Sequence, residues 1–134
     1  MALVIESTWQ TRIPDDWTAV SDDTCVTLTP PDGTSALQIS AYQKSTPVTD
    51  ADLNDLAVEP LAAGAAPQPL TCGDYTGFTL AFIVADIFWR YWYLRCGPQM
   101  LFITHNCPAP DRQTTAPLIT EILSHLHHRQ PSPQ

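Results

Sequence analysis

Between Gly77 and His105 the chain carries three apolar runs, Gly77–Val84, Ile87–Leu94 and Gln99–His105, set apart by the turn pairs Ala85-Asp86 and Gly97-Pro98. The runs are rich in aromatic and β-branched residues, which suit a pleated surface, so the pattern predicts a three-strand antiparallel meander. Two-residue turns fix its register, because directly opposed residues then share a face. One face takes Phe78, Leu80, Phe82, Trp89, Tyr91, Tyr93 and Phe102; the other takes Ala81, Ile83, Phe88, Arg90, Trp92, Ile103, His105 and Cys107. Both faces are mostly apolar, so each needs a covering layer.

Shorter periodic runs surround the meander. Trp9 to Val20 reads as strand, turn and strand about Ile13-Pro14-Asp15-Asp16-Trp17, with Pro14 fixing φ and the aspartates favouring the turn. Thr24–Thr29 and Ser35–Gln43 alternate on either side of Pro30-Pro31-Asp32-Gly33 and predict a hairpin. Thr49 suits a helix N-cap, and Asp50, Asp52 and Asp55 suit the positive end of that helix. Leu53, Leu56, Ala57 and Leu61 give it an apolar face, and Pro60 should kink or end it. Pro69–Cys72 reads as the start of the next strand. Beyond the breaker cluster Cys107–Asp111, a last helix is predicted from Thr114 or Thr115 to about His127. Pro117 would sit in its first turn, and Leu118, Ile122, Leu123 and Leu126 would form its buried stripe.

The element order makes the chain α+β, with an antiparallel sheet of about six or seven strands and two helices. Residues 1–130 read as one domain and 131–134 as a Pro-rich, frayed tail. Charge changes this picture in one respect. Before residue 75 eleven acids face two bases, and after it four bases face three acids, so the net −8 lies wholly in the first part. Such a balance repels phosphates and argues against nucleic acid or an anionic membrane as partner; it is compatible with a basic protein surface. Met1–Ile5 is apolar but lacks a basic flank and stops at Glu6, and no run approaches the roughly 20 residues of a membrane helix. The expectation is a cytoplasmic protein.

Candidate chemistry is sparse. Cys25, Cys72, Cys96 and Cys107 form no C-x-x-C pair, and Cys107 falls opposite Phe88 rather than Cys96, so four free thiols are expected. His105 and Cys107 lie two residues apart on one strand, about 7 Å, which is too far for a nucleophile and its base. His125, His127 and His128 fall near the end of the last helix, where dipolar groups suit the C-terminus better than a metal does. No phosphate loop, dinucleotide turn or nucleophile elbow occurs, so no catalytic residue, metal or cofactor is expected. Arg90 is the exception to an otherwise apolar strand. It shares a face with Trp92 and opposes His105, and it must find a carboxylate or an aromatic ring.

Ile13-Pro14-x-x-Trp17, the Pro-Asp-Gly hairpin, the helix opened by Val48-Thr49-Asp50, the strand Trp89-Arg90-Tyr91-Trp92-Tyr93-Leu94, Thr104-His105-Asn106-Cys107 and the closing helix together resemble the PsbP-like superfamily. That group includes DcrB-like and Ran-binding Mog-like domains. The resemblance implies an antiparallel sheet sandwiched by helices and a non-catalytic role, and it carries no functional residues with it. The functional expectation is a protein-binding module of the adaptor, secretion-chaperone or toxin-immunity kind, meeting a partner protein through Asp50, Asp52 and Asp55 and through Trp89, Arg90, Tyr91, Trp92 and His105. The alternative is a small-molecule or lipid-binding domain, with Arg90 as anion anchor in a pocket between sheet and helix.

Overall fold

The central meander forms with the register its turns dictate. In the computed structural model, which describes residues 1–130, its strands are β7 (Tyr75–Val84), β8 (Ile87–Cys96) and β9 (Gln99–Pro108). Phe82 faces Trp89, Arg90 faces His105, and Phe88 faces Cys107. Ala85 and Asp86 both take positive φ, as a two-residue turn matching the strand twist demands. The hairpin Val26–Thr29 (β4) and Ala36–Gln43 (β5) joins the meander through β5 and β9. With Thr18–Ser21 (β3) on one edge and Gln68–Cys72 (β6) on the other, the strands make a seven-stranded antiparallel sheet, ordered β3-β4-β5-β9-β8-β7-β6.

Helices cover both faces. Asp50–Leu56 (α1) and Val58–Ala62 (α2) lie over one face, where Leu53 and Ala57 pack with Leu80 and Tyr93. Arg112–Ser124 (α3), preceded by a 3-10 turn at Ala109–Asp111, lies over the other, where Ile119, Ile122 and Leu123 meet Trp92, Leu94, Leu101 and Ile103. Thr49 caps α1 through a reciprocal box, its hydroxyl accepting from the Asp52 N–H while the Asp52 carboxylate accepts from the Thr49 N–H. Thr49→Ala is therefore expected to cost about 1 kcal/mol in urea denaturation. No change would show that the cap carries no stability.

Several expectations need correction. The first helix breaks at Ala57, three residues before Pro60, because a proline ring collides with the carbonyl four residues back. Leu56 consequently faces solvent. The last helix starts earlier than its sequence suggests, so Pro117 lies inside it, at an exposed position, where it supplies no N–H to the carbonyl four residues back. Ile119 rather than Leu118 completes its buried stripe. It stops at Ser124, and His127–His128 form a short strand (β10) instead of helix. β10 joins Ala2–Ile5 (β1) and Trp9–Ile13 (β2) in a second sheet, ordered β1-β2-β10, that extends the α3 layer. β4 begins at Val26 rather than Thr24, since the Asp22 carboxylate draws the N–H groups of Thr24 and Cys25 into a turn. The expected tail at 131–134 lies outside the described residues.

Candidate functional site

β7 and β8 are each ten residues long, but β6 is five. β6 pairs with Tyr75–Thr79 only and begins at Gln68, immediately after Pro67, which has no N–H to give a ladder. Leu80–Val84 therefore pair with β8 on one side and with no strand on the other. No backbone hydrogen bond from the preceding loop closes on this segment among the described residues. Ile83 and Val84 are more than half exposed, and Ile87 at the turn is also open. The sheet thus ends in an unpaired, apolar strand edge of five residues.

Hollows flank that edge on both faces. Towards the α1–α2 side, a space of about 410 Å³ lies between Ala81 and Phe82 of the edge and the loop Pro60, Ala63, Gly64 and Ala65. Towards the α3 side, a space of about 370 Å³ is bounded by Ala66, Gln68, Thr79, Leu80, Ala81, Phe88 and Arg90. Beyond the reach of α1 the first face carries an aromatic ladder, with Phe82 and Trp89 both edge-on to Tyr91 at 5.1 and 6.3 Å between centroids. Trp89 and Tyr91 are half-buried in it.

Arg90 found its ring but no carboxylate. Its guanidinium carbon stands 4.9 Å from the Trp92 ring centroid, and Nε donates to Thr79 Oγ1 at 2.9 Å. Thr79 in turn donates to the Tyr91 carbonyl at 2.8 Å, which fixes the hydroxyl as an acceptor for Arg90. Burial lowers the Arg90 pKa from its ordinary value. The same apolar setting pushes the neighbouring Cys72 thiol up to about 11, with Arg90 opposing the shift, so Cys72 stays protonated.

Trp92 and His105 sit deeper, at 3% and 2% exposure, packed under α3, and Trp92 lines with Arg90, Cys72, Thr120 and Ser124 a hollow of about 170 Å³ between the sheet and α3. Among the described residues His105 Nε2 has no hydrogen-bond partner, and burial, with Arg90 opposite adding to it, lowers the His105 pKa to about 4. Cys107 approaches Thr115 on α3, at 3.7 Å. The acidic trio stands apart from all of these. Asp50 pairs with Arg95 at 2.8 Å, and Asp52 pairs with Lys44 at 2.7 Å while capping α1. Lys44 and the Thr49 N–H hold the Asp52 carboxyl below the usual range. Arg95 lies four residues along β8 from Tyr91, which faces Leu80 at the near end of the open edge, so roughly 13 Å of strand separates Arg95 and its partner Asp50 from that edge. His127 binds Asp74 at 2.6 Å, and no cluster of metal-ligating residues occurs among the described residues. Among the described residues no helix is long and apolar enough to cross a membrane.

Solved structures share this architecture. A Bacteroides thetaiotaomicron protein aligns with 91% of the chain at a TM-score of 0.68 and 16% identity. Cyanobacterial PsbP (CyanoP) from Synechocystis aligns with 90% of it at 0.66 and 12% identity. The fold is PsbP-like. LpqN, involved in cell envelope biogenesis of Mycobacterium tuberculosis, aligns with 91% of the chain at 0.60 and 12% identity. The chain spans 45% of the Bacteroides protein, 86% of CyanoP and 83% of LpqN. No protein-family model and no curated protein matches the sequence. At such identities the PsbP-like likeness is one of fold, and the site must be argued from this chain's own residues. Within that PsbP-like frame, sequence reasoning singled out Trp89, Arg90 and Tyr91 but not the edge Leu80–Val84 beside them. Pro67 and Pro69 were the available signal, since prolines shorten or end a strand and confine it to a sheet edge.

Proposed function

We propose that this PsbP-like chain is a protein-binding module that takes up an extended segment of a partner protein along the β7 edge. The observation that carries the reading is the five-residue length of β7 with no neighbour, flanked by hollows on both faces. An added strand would gain main-chain hydrogen bonds from that edge, and the hollows would receive its alternate side chains. Natural sheets blunt such edges with charges, bulges or covering segments; Ala81, Phe82, Ile83 and Val84 supply no charge. Trp89 and Tyr91, half-buried beside the edge, are the residue types that anchor interfaces. Asp50 and Asp52 are engaged in ion pairs with Arg95 and Lys44, and Asp86 is the one acid on the β7–β8 hairpin.

The reading is tested with a photo-crosslinking residue placed at Ile83 in cells and, as a control, at exposed Tyr42. A partner cross-linked from Ile83 is then purified and its affinity measured against Ile83→Lys. The substitution is expected to weaken binding by about tenfold or more, since a lysine on an edge strand opposes strand addition. Unchanged affinity, or cross-links from Tyr42 only, would count against the edge. A lipid or metabolite retained through purification would favour the small-molecule alternative instead.

A further inference from the structure

The following rests on the β7 edge as the docking strand and concerns the chemistry of the segment it docks. Arg90 stands on β8 opposite Ala81 of β7. Because its Nε reaches Thr79 Oγ1 on β7 and its head stacks on Trp92, the guanidinium is held at the Thr79–Trp92 pair, where β6 ends, two residues along β7 from Ala81, and it lines the α3-side hollow together with Ala81. A guanidinium has five N–H donors, and the bond to Thr79 occupies one. Among the described residues no carboxylate lies within 4.0 Å of it, in a chain with 14 acids. The remaining donors are open to an incoming acceptor, and a carboxylate matches the guanidinium fork.

Side-chain alternation then sets where that carboxylate belongs. In a strand laid against Leu80–Val84, the residue facing Ala81 projects over the α3-side hollow, towards Thr79 and Arg90. Its two neighbours, facing Leu80 and Phe82, project to the opposite face, over the hollow formed with Pro60, Ala63, Gly64 and Ala65. That second hollow offers apolar surface and small side chains. We infer that the partner segment is an extended apolar–acidic–apolar sequence whose Asp or Glu faces Ala81 and pairs with Arg90.

The test uses the full chain and two fluorescein-labelled peptides, Val-Glu-Val-Thr-Val and Val-Gln-Val-Thr-Val, each also in reversed order because strand direction is open. Fluorescence anisotropy at low salt should show the Glu peptide binding about tenfold tighter than its Gln counterpart, a preference that shrinks at high salt. Arg90→Gln should abolish the preference, and Arg90→Lys should retain part of it. Ala81→Glu, at an exposed position, should also abolish it by supplying the carboxylate from within, and it serves if Arg90→Gln fails to fold. Equal binding of both peptides to the unmodified chain would overturn the acidic motif while leaving the edge reading intact. A Glu preference that survives Arg90→Gln or Ala81→Glu would overturn it too. Binding of neither peptide would overturn it as well, and the Ile83 cross-link would then decide the edge reading separately.

Discussion

Gly77→Ala is expected to lose at least about 3 kcal/mol of stability, a large share of what a domain of this size possesses. A Cβ built on Gly77 falls onto the carbonyl oxygen of Tyr93, deep inside van der Waals contact, and also crowds the Tyr93 carbonyl carbon and the Leu94 Cα. All three are backbone atoms of β8, so no side chain can rotate away. Relief requires pulling β7 from β8, and with it the register that places Arg90 over β7. Gly97→Ala is the informative contrast. Gly97 has a φ of +55° but open space around it, so its substitution costs only the left-handed strain of about 1 kcal/mol. Urea denaturation of both variants checks the pair. Equal losses would show that β7 and β8 are not in the close approach described.

The second large effect is a loss of stability in mild acid caused by His105. The unfolded chain takes up this proton near the ordinary 6.5, whereas burial and the opposing Arg90 delay it in the folded protein to about 4. Above 6.5 the group is neutral in both states and contributes no slope. As pH falls from 6.5 towards 4 the unfolded state binds more protons, so stability drops by up to about 3 kcal/mol. The hydrogen-bonded carboxylates Asp22, Asp32 and Asp52 have pKa values lowered from 3.8, so their losses come at lower pH. His105→Leu should remove the slope between 6.5 and 4 and leave stability at neutral pH unchanged or improved, because Nε2 is a buried polar atom without a partner. Denaturation at pH 7, 6 and 5 decides it. A His105→Leu protein that keeps the full slope would place the acid sensitivity elsewhere.

How much of this was legible in the sequence depends on how local each feature is. The meander register followed from two turns and the alternation on either side of them, all within a 31-residue stretch, and the Arg90–His105 and Phe88–Cys107 pairings came with it. The Thr49 cap was likewise a matter of neighbouring residues. β1 and β10 were not legible, because Met1–Ile5 is apolar throughout with no alternation and two residues are too short for a period to declare itself. The acidic trio could be placed on its helix, but its ion pairs with Arg95 and Lys44 depend on strands distant in sequence. Arg90 was recognised as an oddity, yet whether it had a carboxylate could be seen only once fourteen acids had been positioned around it. The open edge was the least visible of all. It is a difference in length between β6 and β7, and it exists only after the two strands are laid side by side.

Amide hydrogen exchange measured residue by residue across Leu80–Val84 addresses that edge most directly. In an antiparallel strand alternate N–H groups point to opposite neighbours, so half of this segment should be protected by β8 and the other half should exchange freely. On addition of the Val-Glu-Val-Thr-Val peptide, or of a partner identified through Ile83, the free set should become protected while the β8-facing set stays as it was. Protection of the whole segment in the protein alone, or no gain on binding, would contradict an edge built to accept a strand.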